Sequence, residues 1–264
     1  MKTLATLLTL ALAACLLPAT ADAASLVATY EFTNSLAADQ GGVPALTPVD
    51  PLAQNGFLVD TNVFGQTDTV YRFSGTPPQN AGLSLNTTGL VAPTSYSAEL
   101  VFSFDNPTGF RRVIDVFDRT SDTGFYVDPN NHLTVFPTSG TGPNTFTPGY
   151  HHVILTVASN GTVKGYIDGL SDFSTTTTVM NLSNSATKTM NLFLDNVTGN
   201  SAGEFSSGKI AQFRLYDGVL TDAEALSLSQ PPIVPEPASL ALLALSLPAL
   251  LGRARLRGSL SPRR

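Results

Sequence analysis

Tyr96-Ser97-Ala98-Glu99-Leu100-Val101-Phe102-Ser103-Phe104 alternates between an apolar set (Tyr96, Ala98, Leu100, Phe102, Phe104) and a mostly polar one (Ser97, Glu99, Val101, Ser103). Successive side chains of a strand point to opposite faces, so the run predicts a strand with one face on a core and one in water. Outward from it, Leu26, Ala28, Tyr30 and Phe32 alternate with Val27, Thr29 and Glu31. Further short runs at residues 70–73, 112–117, 124–128, 133–136, 151–158, 162–168, 190–194 and 209–216 lie between clusters of Gly, Pro, Asn, Ser and Thr. Short strands spaced by turn residues, with almost nothing of helical period, indicate one all-β domain over residues 24–230. About ten strands in one domain need two packed sheets or a barrel.

Two local signals set chain direction. Asn160-Gly161, between Val153, Leu155 and Val157 on one side and Val163, Gly165 and Ile167 on the other, predicts a type I′ hairpin. Thr221-Asp222-Ala223-Glu224 is a capping box that opens a short helix to about Leu228. Pro231 and Pro232 then begin an extended linker.

Residues 24–236 carry eight Lys and Arg against nineteen Asp and Glu, a net charge of −11. So acidic a body repels phosphate backbones and anionic lipid surfaces, which excludes nucleic-acid binding. It suits a solvated extracellular module or one that holds divalent cations.

Three segments resemble a laminin G-like, concanavalin A-like antiparallel jelly roll. They are Tyr30-Glu31-Phe32 with Ala38-Asp39-Gln40-Gly41-Gly42; Tyr150-His151-His152-Val153-Ile154-Leu155-Thr156 running on to Gly165-Tyr166-Ile167-Asp168-Gly169; and Gly208-Lys209-Ile210-Ala211-Gln212-Phe213-Arg214-Leu215-Tyr216 with Leu220-Thr221. The chain has Tyr150 where the family commonly has Trp, and Ala211 where it often has an acidic residue. The resemblance implies a Ca²⁺ site of carboxylates and carbonyls near the first and last strands, the oxygen donors that ion requires. Asp39, with the Gly41-Gly42 turn, would supply part of it, and Ala211 removes one ligand.

No catalytic pattern emerges. Glucanases of this fold carry Glu-x-Asp-x-x-Glu on one strand, a spacing the chain lacks. Gly199-Asn200-Ser201-Ala202-Gly203 matches a nucleophile elbow, but no helix follows it, and His132, His151 and His152 all precede the serine. His151 and His152 point to opposite faces of one strand and do not ligate a metal together. Asp115, Asp118, Asp122 and Asp128 fit no ligand spacing and read as solvated loop carboxylates.

The two ends read as addresses. Lys2, the apolar stretch at residues 4–17 and Pro18-Ala19-Thr20-Ala21-Asp22-Ala23 form a signal peptide cleaved after Ala23, with Ala21 as the second choice. Leu12-Ala13-Ala14-Cys15 also resembles a lipobox, but Leu16 and Leu17 continue the apolar run past the cysteine. Cleavage after Ala23 removes Cys15, the chain's one cysteine, and with it any disulfide. At the other end Val234-Pro235-Glu236-Pro237, the apolar run at residues 238–252 and then Arg253, Arg255 and Arg257 resemble a PEP-CTERM sorting signal. The resemblance implies an exosortase-type membrane peptidase, transient residence in the inner membrane, and delivery to the cell surface or matrix. As a helix, residues 238–252 would rise about 22 Å, short of the roughly 30 Å hydrocarbon core.

The expected function is an exported, non-catalytic binding module for a polysaccharide or surface partner. The alternative is a structural surface protein with no ligand, with residues 175–178 in a solvated loop. The chain has no Trp, so sugar stacking would fall to Tyr71, Tyr126, Tyr150, Tyr166, Tyr216 and some of the Phe residues.

Overall fold

The computed structural model describes residues 23–138, 140–198 and 203–229. Ala23 is exposed at the first described position, while Ala21, Val234, Pro235, Glu236, Pro237, Arg253, Arg255 and Arg257 lie outside the described residues. Among those described, no helix is long and apolar enough to cross a membrane.

The described residues form an all-β sandwich of two antiparallel sheets, jelly-roll-like, with one α-helix. The larger sheet runs β12 (Leu170–Thr176), β11 (Thr162–Ile167), β10 (His151–Val157), β6 (Tyr96–Phe104), β14 (Gly208–Asp217), β4 (Gln66–Phe73) and β3 (Gly56–Val63), with β1 (Ser25–Tyr30) also paired to β14. The smaller runs β2 (Thr47–Val49), β5 (Gly82–Asn86), β13 (Thr189–Leu192), β7 (Arg111–Asp115), β8 (Gly124–Val127) and β9 (Leu133–Phe136). Alternate side chains of both sheets meet in one core. There Phe73 stacks on Phe193 at 4.2 Å, and Phe102 packs on Phe104, Phe146 and Phe193. Such ring pairs add about 0.5–1.5 kcal/mol each beyond the area they bury.

The alternation in β6 places its apolar set in the core as expected, but its second face is not in water: all nine residues are buried. Helix α1 (Asp222–Leu228) lies over that side, where Ile154, Tyr166, Tyr216, Leu220 and Ala225 form a second apolar cluster. The Thr221–Glu224 capping box is present. Beneath α1, Glu99 accepts from His152 Nε2 (2.8 Å) and from the Tyr216 hydroxyl, and His152 Nδ1 meets Ser229 Oγ at 2.6 Å. Burial opposes ionisation of Glu99, yet the hydrogen bonds from His152 and Tyr216 hold it below its ordinary value.

The Asn160-Gly161 hairpin forms with a different turn. Only Gly161 has positive φ (+85°), and its amide donates to Ala158 O (2.8 Å), which makes a type I turn closed by a glycine bulge. The type I′ conformation belongs to Asp168-Gly169 (φ 50° and 81°), which turns β11 into β12. Thr175 and Thr176, expected in a loop, lie in that edge strand, where Ser and Thr face solvent. Edge position also explains why β2 and β3 escaped the alternation pattern.

Candidate functional site

The core takes Leu83 and Leu85, Met190 and Leu192, Val113, Phe125 and Val127, and Leu133 and Val135 from the smaller sheet. By alternation, Ser84, Asn191, Tyr126 and Thr134 face outward, and the bulge between Arg112 and Ile114 in β7 brings Arg112 and Asp115, three residues apart, to that same face. All but Thr134 form one polar chain across four strands. Ser84 Oγ donates to Asn191 Oδ1 (2.6 Å), Asn191 Nδ2 donates to Asp115 Oδ2 (2.9 Å), Asp115 Oδ1 pairs with Arg112 Nη1 (3.1 Å), and Arg112 Nη2 donates to the Tyr126 hydroxyl.

Arg112 is the hub. It is fully buried, and a buried cation persists only where charges and acceptors surround it. Besides Asp115, its guanidinium faces Asp195 Oδ1 through Nε (3.4 Å) and Asp122 Oδ1 (3.5 Å), and donates to Ser121 O (2.9 Å). Its carbon stands 4.8 Å from the centre of the Tyr126 ring. Asp122, from the connection between β7 and β8, and Asp195, from the connection between β13 and β14, are thereby drawn together on the outer face, and Glu204 joins them from the second connection.

Those connections bring three carboxyl groups together: oxygens of Asp122, Asp195 and Glu204 lie within 4.8 Å of one another. Asp195 Oδ2 accepts the amides of Gly203 and Glu204, both at 2.8 Å. Burial, and then the hydrogen bond toward Asp122, push the Glu204 carboxyl up to about 8. Burial also raises Asp115 above the usual carboxylate range, against the bonds from Asn191 and Arg112.

This triad is where hard-oxygen donors converge among the described residues, but the Arg112 guanidinium already supplies positive charge to two of the three. A protonated carboxyl beside an ionised one is also what glycoside hydrolysis uses. Here the Glu204 carboxyl lies against those of Asp122 and Asp195, and its hydrogen bond toward Asp122 helps raise it.

Beside the carboxyl groups lies an aromatic trio. Phe110 meets Tyr126 and Phe136 edge-on, each at 5.8 Å, and Tyr126 meets Phe136 at 6.4 Å. Phe136, on the edge strand β9, is 37% exposed, and the Asp122 side chain is 33% exposed. Flat apolar rings next to partly exposed carboxyl oxygens offer a platform for a ring with C–H bonds on its face and hydroxyls at its rim.

Asp39 is exposed on the connection after β1, its amide donating to Thr29 O (2.9 Å), and it is not among the converging carboxylates. Ala211 is buried on the outer face of β14 with Val63, Val70 and Val101. The acidic run is not a set of solvated carboxylates: Asp115 is in the Arg112 hub, and Asp118 accepts from Ser185, Ala186 and Thr187. Asp128 is buried and closes the β8–β9 turn through the amides of Asn130 and His132, and Asp122 is in the triad.

His151 and His152 do point to opposite faces. His151 packs on Phe146 and, with Nε2 accepting the Thr147 amide, turns Nδ1 to Asp168 Oδ2 (2.7 Å). Ser229, His152 and Glu99 form a hydrolase-like relay in outline, but the Ser229 hydroxyl also donates to Ala225 O (3.0 Å), back into its own helix. Of the candidate tyrosines only Tyr126 joins the outer-face cluster; Tyr150, Tyr166 and Tyr216 bond Asp60, Asp222 and Glu99 on the larger sheet. A hollow beside the N-terminus of α1, lined by Thr156, Lys164, Leu220 and Asp222, shares no residue with the cluster, and its Lys164–Asp222 pair closes on itself at 2.8 Å.

Residues 77–225 match the sequence profile of the concanavalin A-like lectin/glucanases superfamily. Among solved structures, the chain is similar to domain 4 of AbnA, a GH43 extracellular arabinanase from Geobacillus stearothermophilus, in complex with arabinotriose (19% identity, 79% of this chain, 100% of that one, TM-score 0.57). It is also similar to botulinum neurotoxin type C, whose cell entry depends on interaction with two ganglioside molecules (11% identity, 78% of this chain, TM-score 0.56). It covers only 50% of that toxin chain. Identities this low establish a shared fold alone. Comparison with curated proteins gives no match. The profile spans more than half of the sequence, and the chain belongs to the concanavalin A-like lectin/glucanases superfamily.

Proposed function

We propose that this protein is a non-catalytic carbohydrate-binding module that acts outside the cell. The observation that carries the reading is the exposed Phe136 ring, braced by Phe110 and by the buried Tyr126 whose hydroxyl reaches the partly exposed Asp122, an arrangement suited to stacking a sugar ring on Phe136 and accepting its hydroxyls. The similar arabinanase domain, matched over its whole length, is one that holds arabinotriose, which supports the same class of ligand.

The ends fit this role as addresses. The signal peptide is cut after Ala23, the segment from Val234 to Pro237 engages an exosortase-type peptidase, and Arg253, Arg255 and Arg257 hold the precursor at the inner membrane until release to the surface or matrix.

A glycan array, run with calcium and with a chelator, tests the binding. The expected result is specific retention of a polysaccharide that is weakened by Phe136→Ala and recovered at its original length; uniform silence, or shortened product, sinks the reading. Deleting residues 234–264 should leave the body in the periplasm, and surface display that survives the deletion would refute the sorting role. A purely structural module is the second reading, favoured by the engagement of Arg112 within the protein itself.

A further inference from the structure

Resting on that reading, we infer that the ligand of the Phe136 patch is an uncharged glycan, and that polysaccharides of uronic, sialic or sulfated sugars are excluded from it. The argument is an accounting of cations. Three arginines lie near the patch. Arg111 donates through Nε to Asn106 O (2.9 Å) and through Nη1 to Phe110 O (2.8 Å). Arg112 is enclosed by Asp115, Asp122, Asp195 and Tyr126 and has no exposure. Arg119 donates through Nε to Asp195 O (2.9 Å). Recognition of a carboxylate or sulfate works through a bidentate guanidinium or a free ammonium, and here Arg112 is wholly enclosed while Arg111 and Arg119 each commit donors to backbone carbonyls of the protein itself.

What the patch presents outward is of the opposite kind. Asp122 is one-third exposed, Glu204 is partly exposed, and Phe136 and Phe110 offer ring surface. Carboxyl oxygens accept from sugar hydroxyls and offer a polyanion no counter-charge, and stacking on a ring is indifferent to charge. The body's net charge of −11 over residues 24–236 adds a long-range term of the same sign, which lowers the encounter rate with any polyanion at low salt.

The purified full-length chain is tested by affinity electrophoresis against neutral polymers (arabinan, xylan, mixed-linkage glucan) and against polygalacturonate and alginate, at low and at high salt. Retardation by at least one neutral polymer at both salt levels is expected, with no retardation by either polyuronate. Phe136→Ala should weaken the neutral interaction about tenfold, and Asp122→Lys should admit polygalacturonate at low salt. Binding of a polyuronate by the unaltered chain as tight as that of any neutral polymer overturns this inference and leaves the carbohydrate reading standing. Silence toward every polymer, with the chain shown folded by its thermal transition, overturns both.

Discussion

The guanidinium carbon of Arg112 stands 4.8 Å from the centre of the Tyr126 ring, and neither side chain has any solvent exposure. The pair is the keystone of the outer face, because Arg112 also neutralises Asp115 and Asp195, both fully buried. Replacing Arg112 by Met keeps the volume but leaves two carboxylates without a counter-charge in a dry setting. Loss of one partner from a buried ion pair costs about 3–5 kcal/mol. Urea unfolding of Arg112→Met should show that loss as a lowered midpoint at unchanged slope; a loss below about 1 kcal/mol would mean that water reaches the site.

Glu204 gives the stability a pH signature. Its carboxyl is pushed from the ordinary 4.5 up to about 8 by burial and by Asp122, so between these values the folded protein keeps a proton that the unfolded chain gives up. Its contribution is therefore complete below about pH 4.5 and declines as pH rises toward 8. Glu99 and Asp168 act in the opposite sense: held below their ordinary values by His152 and His151 against burial, they stabilise above those values and lose that effect in acid. Melting temperature measured from pH 5 to pH 8 should fall in the unaltered protein, and Glu204→Gln should flatten that fall. An identical slope in both would refute the assignment.

The frame of the larger sheet was legible because β6, β10, β11 and β14 carry their own alternation, and the Thr221 cap is written in four consecutive residues. What sequence hid was what lies on the outer faces. Of the outer set of β6, Glu99 is buried beneath α1, which follows in the chain by over a hundred residues, and Val101 is buried against Val63, Val70 and Ala211. Asp115, Asp118, Asp122 and Asp128 matched no ligand spacing since each serves a different partner. Arg112 gave no warning: the alternation of a strand puts it on the face opposite Asp115, and it gains its partners only through the bulge in β7 and through Asp195, a residue brought near by the β13–β7 pairing.

Docking of α1 depends on the His152 imidazole, which links Glu99 to Ser229 at 2.8 and 2.6 Å. His152→Ala leaves Glu99 buried with Tyr216 and Arg214 alone and frees the last turn of the helix. A hydrogen bond to a charged group contributes about 1.5–3 kcal/mol, so global stability should fall by that order. Amide exchange at Leu226–Leu228 should quicken more than in β6, because the helix loses its tether before the sheet opens; equal acceleration in both elements would show that α1 is not a separable unit.

Gly208 opens β14, within the segment that carries the family resemblance, and its φ is not in the left-handed region, so conformational freedom does not explain it. Contact does. A Cβ at this position would lie 2.3 Å from the carbonyl oxygen of Ser103 and 2.6 Å from the Phe73 ring. A flexible side chain could retreat, but the Ser103 carbonyl belongs to the adjacent strand β6, which is paired with β14 from Phe104 to Tyr96. Gly208→Ala must then shift backbone in the centre of the larger sheet, and overpacking of this kind costs roughly 1–3 kcal/mol. Gly41→Ala provides the comparison, since nothing lies within 4 Å of a Cβ there and its φ is not left-handed. Thermal unfolding should separate the two variants clearly, with Gly41→Ala within about 0.5 kcal/mol of the unaltered protein; equal stability of both would mean that β6 and β14 yield at this end of their ladder.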